Sequence, residues 1–208
     1  MQKKYELTSN TIVKFGRTLY QIKALFSFDV VSKGDFGGYI ENEENLSQDG
    51  NAWVFGDAWV SDNAEVSGNA CVSGNAWVYG NAKVYGDAWI SGNAKVYGDA
   101  WISGNARVFG NAWVYGNAKV YGDAWISGNA RVFGNADFLL IGRIGSRAAF
   151  TTFFKNKSAG ITVACGCFLG TIAEFREKVK ETHGNNKHAK MYNLAADMAE
   201  LQILTKEE

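Results

Sequence analysis

The sequence predicts a mainly β fold, in which short strands stack into a solenoid between an N-terminal β cap and a small C-terminal α+β module. Three observations predict it. Residues 51–134 divide without a gap into 14 copies of the hexad [Asn/Asp]-Ala-x-[Val/Ile]-[aromatic/Ser]-Gly, with Asp62 as the one departure at the last position. Inside each hexad, small or branched apolar residues alternate with larger or charged ones. After residue 136 the repeat stops, and sequence typical of longer strands and helices follows.

Each hexad predicts one short strand and one tight corner. In the copy Ala76-Trp77-Val78-Tyr79, Ala76 and Val78 face one side, and Trp77 and Tyr79 face the other. A glycine and an asparagine or aspartate follow, and these residue types tolerate the positive φ of a corner. Because the inward slots hold only alanine and Val or Ile, we expect a narrow core with the large rings outside. Ordering six residues costs about 6–12 kcal/mol, while the buried pair returns about 2–4, so each hexad must share its core with neighbouring copies.

The hexads resemble a known repeat. An aliphatic residue followed four places later by a small one, as in Val78 and Ala82, resembles the hexapeptide repeat of left-handed parallel β-helices. That resemblance implies a left-handed, triangular solenoid with 18 residues per coil. Residues 75–98 and 111–134 differ at only two positions, and this shift of 36 residues equals two such coils.

Residues 1–36 are predicted to form the β cap, because "TIVKFGRTLYQIKALFSF" indicates two strands around a turn at Gly16-Arg17. The apolar residues available to cover the open end of the solenoid are Leu19, Ile22, Leu25 and Phe28. The solenoid is predicted to span residues 37–140, with Ile40 and Leu46 in an irregular first coil.

The C-terminal module is predicted to span residues 141–208 and to hold a β-hairpin and two helices. "AAFTTFF" and "ITVACGC" predict the two strands of the hairpin. In the first helix, Thr171 is the N-cap, Glu174 its capping-box partner and Gly184 the stop. "NKHAKMYNLAADMAELQIL" predicts the second helix.

All seven tryptophans occupy the same outward slot of their hexads, so we expect them on the surface. Grouping positions by 18 places a continuous aromatic ladder on one side of the solenoid. This predicted binding surface, the aromatic face, comprises Trp59, Trp77, Tyr79, Lys95, Tyr97, Trp113, Tyr115, Arg131 and Phe133.

The aromatic face has two compatible interpretations. The rings can stabilise the coil by packing on the tiers above and below, with Lys95 and Arg131 in cation–π contacts. A broad aromatic face is also typical of an association surface for a second copy of the chain or for another protein. Such faces stack sugars or bases as well, but five basic residues in 84 argue against single-stranded nucleic acid.

Composition narrows the function classes. The chain has 208 residues, with 21 basic and 21 acidic, so its totals do not suggest attraction to nucleic acid or anionic lipid. No apolar run predicts a membrane helix or leader, and three cysteines fit a reducing compartment, so we expect a cytoplasmic protein without membrane partners. Four soft donors, Cys165, Cys167, His183 and His188, are the candidates for a zinc or catalytic set, but their spacing does not match a zinc knuckle and no metal is predicted.

Many proteins with hexapeptide coils are acyltransferases, which use a histidine on the coils as general base and an inserted loop to hold the acyl donor. The related carbonic anhydrases bind zinc through three histidines. The 14 hexads contain no histidine and no insertion, and the whole chain has two histidines. We therefore expect a protein that is not an enzyme and needs no cofactor, with acyltransferase as the alternative.

The chain resembles the YdcK-type β-solenoid family of bacteria and prophages in its coils and in its lead-in, "GRTLYQIKALFSF...GDFGGYIENEENLSQDGNAWV". Its tail resembles an extension found in phage and prophage proteins, on the residues "ITVACGCFLGTIAEF...THG". The resemblance implies a phage-derived protein. From the missing coil histidines and the aromatic face we expect a scaffold or interaction protein that acts in the host cytoplasm through this face and by homo-oligomerisation, with a host or phage protein as partner. A second alternative is a counter-defence protein that sequesters a host protein or nucleotide signal.

Overall fold

The computed structural model describes residues 2–205 and has three parts in chain order. An N-terminal hairpin of β1 (Tyr5–Lys14) and β2 (Arg17–Ala24) turns at Phe15-Gly16 and leads to β3 (Phe36–Ile40). A parallel solenoid of short strands follows, and a C-terminal unit of antiparallel strands and two helices completes the fold. Within residues 2–205, no helix is both long and apolar enough to cross a membrane.

Fourteen two-residue strands build the solenoid, one from each hexad. They are β4 (Trp53–Val54), β5 (Trp59–Val60), β6 (Glu65–Val66), β7 (Cys71–Val72), β8 (Trp77–Val78), β9 (Lys83–Val84), β10 (Trp89–Ile90), β11 (Lys95–Val96), β12 (Trp101–Ile102), β13 (Arg107–Val108), β14 (Trp113–Val114), β15 (Lys119–Val120), β16 (Trp125–Ile126) and β17 (Arg131–Val132). Every strand pairs in parallel with strands three hexads away, as Trp59 does with Trp77. The predicted 18-residue coil is confirmed.

The three sides of the solenoid are three parallel sheets. One contains β4, β7, β10, β13 and β16, and another contains β6, β9, β12 and β15. The third contains β5, β8, β11, β14 and β17, and the hairpin and β3 extend it to eight strands in the order β1-β2-β3-β5-β8-β11-β14-β17. The N-terminal hairpin therefore continues the side that carries the aromatic face.

The core is as narrow as the hexad predicts. Each of the 14 inward alanines and each of the 14 inward valines or isoleucines is at most 1% exposed, and Ile40 and Leu46 join them from the first, irregular coil. Glycine is required at the corners because consecutive coils approach closely there. At Gly98, where φ is 70°, a Cβ would lie 2.9 Å from the backbone nitrogen of Gly116.

Hydrogen bonding gives the solenoid two chemically different ends. The N–H groups of each coil donate to carbonyls of the next coil, as Trp59 does to Ala76 at 3.0 Å. The first coil therefore presents carbonyl groups with no coil above them, and the last coil presents N–H groups. At the first coil, the ammonium of Lys4 donates to the carbonyl of Ala52 at 3.0 Å, and the Asn45 amide donates to that of Ala64 at 2.9 Å.

Acceptor side chains cover the opposite end. The Asn135 amide oxygen accepts from the Lys119 N–H at 2.8 Å, and the Thr152 hydroxyl accepts from the Trp125 N–H at 3.1 Å. Within residues 2–205, donor side chains thus cover carbonyl groups at one end and acceptor side chains cover N–H groups at the other, which protects the two ends against pairing with further strands.

The C-terminal unit has four antiparallel strands where the sequence predicts a two-stranded hairpin. These are β18 (Phe138–Ile144), β19 (Ala149–Lys155), β20 (Ile161–Cys165) and β21 (Phe168–Thr171). One face of this sheet closes the solenoid, since Phe138 and Phe154 belong to the solenoid core. The other face packs against α1 (Ile172–His183) and α2 (Lys187–Leu204), and the predicted Thr171–Glu174 capping box is confirmed.

Candidate functional site

The structure places the strand residues of the predicted aromatic face in two parallel columns on one side of the solenoid. The first column, at the tryptophan slot, consists of Trp59, Trp77, Lys95, Trp113 and Arg131. The second, at the slot two residues later, consists of Tyr79, Tyr97, Tyr115 and Phe133. Both predicted columns therefore exist as continuous stacks. The contacts within them show which rings pack against other residues of the coil and which could contact a ligand.

Cations alternate with rings in the lower part of the first column. The Lys95 ammonium lies 4.0 Å from the ring centroid of Trp77 and 4.8 Å from that of Trp113. The Arg131 guanidinium lies 4.2 Å from the ring centroid of Trp113. Trp113 is therefore held between two cations, an arrangement that is typical of cation–π stabilisation.

The same alternation occurs on the other two sides of the solenoid. The guanidinium of Arg107 lies 5.6 Å from the Trp89 ring and 5.8 Å from the Trp125 ring, and the Lys119 ammonium lies 5.3 Å from the Trp101 ring. From Trp77 and Lys83 onward, tryptophan and cation exchange places every 18 residues, which agrees with the 36-residue repetition in the sequence. Most outward tryptophans therefore stabilise the stacking of coils.

The second column is a ladder of stacked phenol rings. Tyr79 and Tyr97 lie 4.8 Å apart with planes 5° from parallel, and Tyr97 and Tyr115 lie 5.0 Å apart at 10°. Phe133 ends the ladder turned by 65° and is 60% exposed. Burial raises the pKa of Tyr79 to about 12 and, together with the neighbouring Tyr115, raises the pKa of Tyr97. The rings of the ladder thus cover much of one another's apolar surface.

Two tryptophans are not on the surface, so the prediction that all seven are exposed is wrong. Trp53 is 1% exposed because Tyr5 and Phe28 of the N-terminal segment cover it, with ring centroids at 6.1 and 5.4 Å. Trp59 is 3% exposed because Phe15 and Trp77 cover it at 6.0 and 4.8 Å. Their slots do point out of the coil, but the hairpin folds over them.

The contact between the hairpin and the aromatic face creates a cleft of about 270 Å³, which we call the aromatic cleft. Its walls are Phe15, Arg17, Trp59, Ser61, Asp62, Trp77, Tyr79 and Lys95. Trp59 and Trp77 meet here ring against ring, and among the described residues this is the one place where two tryptophans adjoin in a column with no cation between them. The cleft is therefore the part of the aromatic face where one indole, Trp59, packs on another indole, Trp77, and only the far side of Trp77 contacts a cation, Lys95.

Phe15 forms the outer wall of the cleft from a strained position. It occupies the first turn position of the β1–β2 hairpin with φ 51°, which is rare for a bulky residue, and is 77% exposed. Its ring nevertheless contacts Trp77 at 5.4 Å in an edge-on geometry. Strain of about 1–3 kcal/mol at such a residue is typical of functional sites.

One corner of the cleft is polar and fixed. Arg17 binds Glu41 at 2.9 Å and also pairs with Asp62, and these carboxylates raise the pKa of its guanidinium. The Asp62 carboxylate accepts from the N–H of Gly80 at 3.0 Å, and Asp62 itself has φ 59°. The single departure from glycine in the repeat thus attaches the hairpin to the solenoid. Sequence reasoning noted this departure but missed Phe15 and Arg17 as its neighbours.

Lys95 is the cation of the cleft that lacks a carboxylate partner. Within residues 2–205, its ammonium has no carboxylate within 4.0 Å and makes no hydrogen bond. Arg131, its counterpart lower in the column, donates to the backbone carbonyls of Asn111 and Ala130 at 3.0 and 2.7 Å. The cleft therefore combines two adjoining indoles, an arginine neutralised by carboxylates and one ammonium that contacts rings but no carboxylate.

The four soft donors lie far along the chain from this cleft, in the C-terminal unit. The rings of His183 and His188 are 5.8 Å apart, Cys165 accepts from Thr151, and Cys167 is exposed. Across residues 2–205, no group of three or more His, Cys, Asp or Glu side chains is arranged to hold a metal ion.

Comparison with known proteins bears on the coils. A family profile described as the YdcK Beta solenoid repeat matches residues 64–80 and 100–116. No curated protein matches the chain. Both matched stretches lie inside the solenoid, whose three-sided parallel coils agree with a β-solenoid repeat. The family profile thus supports the resemblance for the solenoid, and the chain is similar there to the YdcK β-solenoid repeat.

Proposed function

We propose that the protein is a non-enzymatic interaction protein, in which the solenoid is a rigid frame and the aromatic cleft is the recognition site. The observation that carries the proposal is the adjoining pair Trp59 and Trp77, left without an intervening cation under the strained ring of Phe15. By contrast, the indoles of Trp89, Trp101, Trp113 and Trp125 each lie against a cation of the coil. Aromatic rings clustered in a pocket are typical of a binding hot spot.

The proposed occupant is an aromatic side chain that lies beside a carboxylate in a segment of a partner protein. A space of about 270 Å³ suits one ring, which can pack against the indole of Trp77 in an edge-to-face arrangement. The unpaired ammonium of Lys95 favours a neighbouring negative charge, while Arg17 is already neutralised by Glu41 and Asp62. The preferred partner segment therefore carries Tyr, Phe or Trp next to Asp or Glu.

The biological setting is part of the same proposal. The resemblance of the lead-in and tail to prophage-associated proteins supports a phage-derived protein that meets a host or phage protein in the host cytoplasm. Assembly of several copies would present several aromatic clefts at once, which increases avidity without any new contact.

Selection from a random peptide display library on the immobilised full-length protein tests this function. We expect enriched peptides to share an aromatic residue next to an acidic one. Titration calorimetry with the best peptide then compares two matched variants, Lys95→Gln and Arg131→Gln. Lys95→Gln is expected to weaken binding about tenfold or more, since it removes a charge-assisted contact, while Arg131→Gln leaves affinity within about twofold.

Enrichment of peptides without acidic residues, or equal losses for both variants, would contradict the proposed site. Incubation with acetyl-CoA tests the acyltransferase alternative, and saturable turnover of acetyl-CoA would replace the interaction role with catalysis. A thermal-shift screen against host nucleotides tests the remaining alternative, in which a nucleobase instead of a peptide ring packs against Trp77.

A further inference from the structure

The last helix, α2, has two apolar faces, and one of them is uncovered. Its inner face, which includes Ala189, Tyr192, Ala196 and Ile203, is buried against α1 and the C-terminal sheet. Its outer face carries a row of apolar side chains between 41% and 70% exposed, which we call the outer stripe: Met191, Leu194, Met198, Leu201 and Leu204. A surface helix ordinarily presents polar residues on this side.

The spacing of the outer stripe is that of a helix–helix seam. Met191, Leu194, Met198 and Leu201 follow one another at intervals of three, four and three residues, so they line one side of the helix over about 15 Å. Five side chains at these exposures form a strip on the order of 500 Å², close to the largest patch on a typical monomer. Two such strips packed together would bury on the order of 1,000 Å², where specific interfaces begin.

The charges beside the outer stripe favour an identical partner. Lys190 and Asp197 flank it on the same side with opposite signs, and Asp197 is already paired with Arg176 at 2.7 Å. A second copy therefore brings no excess of like charge to the contact. An acidic or basic partner helix would find no complementary field, and an anionic membrane would find no row of basic residues of the kind that interfacial helices carry.

We propose that the outer stripe of α2 is the interface of a homodimer, in which the α2 helices of two copies pack face to face about a twofold axis. The same patch serves both copies, as a twofold interface requires. This inference is independent of the aromatic cleft, which lies at the opposite end of the solenoid from the C-terminal unit. It gives the protein two clefts per assembly if both proposals hold.

Sedimentation equilibrium of the full-length protein tests the dimer. The wild-type protein is expected at twice the chain mass of 22.7 kDa at micromolar concentration. The variant Leu194→Glu/Leu201→Glu is expected to weaken dimerisation at least 100-fold, since each interface then buries four carboxylates. Leu169→Glu, which alters a 52% exposed leucine on β21, is the matched control and leaves the dimer intact.

A mixing experiment separates self-pairing from general loss of solubility or folding. Leu194→Glu/Leu201→Glu and Leu194→Lys/Leu201→Lys are each expected to be monomers with unchanged far-UV circular dichroism, and their equimolar mixture is expected to form heterodimers. A monomeric wild-type protein at 100 micromolar would overturn the proposal. So would dimers that persist in both variants, failure of the mixture to associate, or stripe-dependent binding of a monomeric protein to phosphatidylserine vesicles.

Discussion

The aromatic face has an upper half, next to the N-terminal hairpin, and a lower half, next to the C-terminal unit. The two halves share residue types but differ in what surrounds them. In the lower half, Trp113 lies between Lys95 and Arg131, and the guanidinium of Arg131 is fixed by backbone carbonyls. In the upper half, Trp59 and Trp77 adjoin each other, and Phe15 reaches over them from the hairpin. The same slot of the hexad therefore serves the coil in one half and forms a cleft in the other.

This difference teaches that a count of exposed aromatic residues does not locate a binding site in a repeat protein. The relevant feature is the break in the regular alternation of ring and cation, which occurs where a non-repetitive segment meets the coils. The upper half is distinct because the hairpin is anchored there, by buried Lys4 above the first coil and by Arg17 at the corner.

The largest expected effect concerns the Lys4 anchor and its dependence on pH. Burial lowers the pKa of Lys4 to about 8, with Asp49 opposing the shift. Between pH 8 and about 10.5 the unfolded chain binds this proton and the folded chain does not, so the contribution of Lys4 to the free energy of unfolding rises with pH by up to about 3 kcal/mol.

Chemical denaturation at several pH values should show that rise in the wild-type protein relative to Lys4→Met. Lys3→Met is the control, because Lys3 is exposed and pairs with Glu43 at the surface. Parallel pH profiles for the wild-type protein and Lys4→Met would show that the anchor is not buried as described.

The next effect concerns Phe15. Phe15→Asn is expected to weaken binding of the selected peptide about tenfold, because the cleft loses its outer wall. The free energy of unfolding should change by less than about 1 kcal/mol, since asparagine tolerates positive φ and relief of strain offsets the lost ring contacts. Phe133→Asn, at the lower end of the tyrosine ladder, should leave affinity unchanged in the same calorimetric titration. Equal affinity losses would mean that the cleft has no special role.

A smaller effect tests the structural role of the lower half. In a double-mutant cycle of Trp113→Leu and Arg131→Met, the coupling free energy is expected to be about 0.5–1 kcal/mol, as for an exposed cation–π pair. Denaturant unfolding of the four proteins measures it. A coupling near zero would leave the alternation of tryptophan and cation without an energetic reason.

The smallest expected effect concerns the pH at which Tyr79 ionises. Because burial raises the pKa of Tyr79 to about 12, its phenol should ionise at higher pH than a free tyrosine. The folded chain then holds this proton after the unfolded chain has lost it, so stability from Tyr79 decreases as pH rises above 10. Absorbance titration at 295 nm should lose the component near pH 12 in Tyr79→Phe, while buried Tyr5, whose pKa is raised further, keeps its more alkaline component. Retention of the component near pH 12 would place Tyr79 in contact with solvent.

The repeat made the solenoid predictable. The same pattern occurs in 14 hexads and places Ala and Val or Ile inward in each of them, so the core and the 18-residue coil could be predicted from the sequence. The Thr171–Glu174 capping box could also be predicted, because its two residues are only three positions apart in the sequence. In the C-terminal unit, β18 and β21 were missed because they are defined by pairing with β19 and β20, and not by turn signals of their own.

The cleft could not be derived in the same way, because it depends on contacts between distant segments. Nothing in the hexads shows that Phe15 lies over Trp59 and Trp77, or that Trp53 is covered by Tyr5. Two signals were present in the sequence. Asp62 breaks the glycine pattern, and Trp59 and Trp77 fall 18 residues apart with no basic residue between them in the column.

The most direct test of the central claim is the affinity of the selected peptide for Trp77→Leu and for Trp113→Leu, measured by titration calorimetry on the full-length proteins. Both variants remove an indole from the same slot of the same face. We expect at least a 100-fold loss of affinity for Trp77→Leu and less than a threefold change for Trp113→Leu. Comparable losses in the two variants would contradict the division of the aromatic face into a structural lower half and a binding upper half.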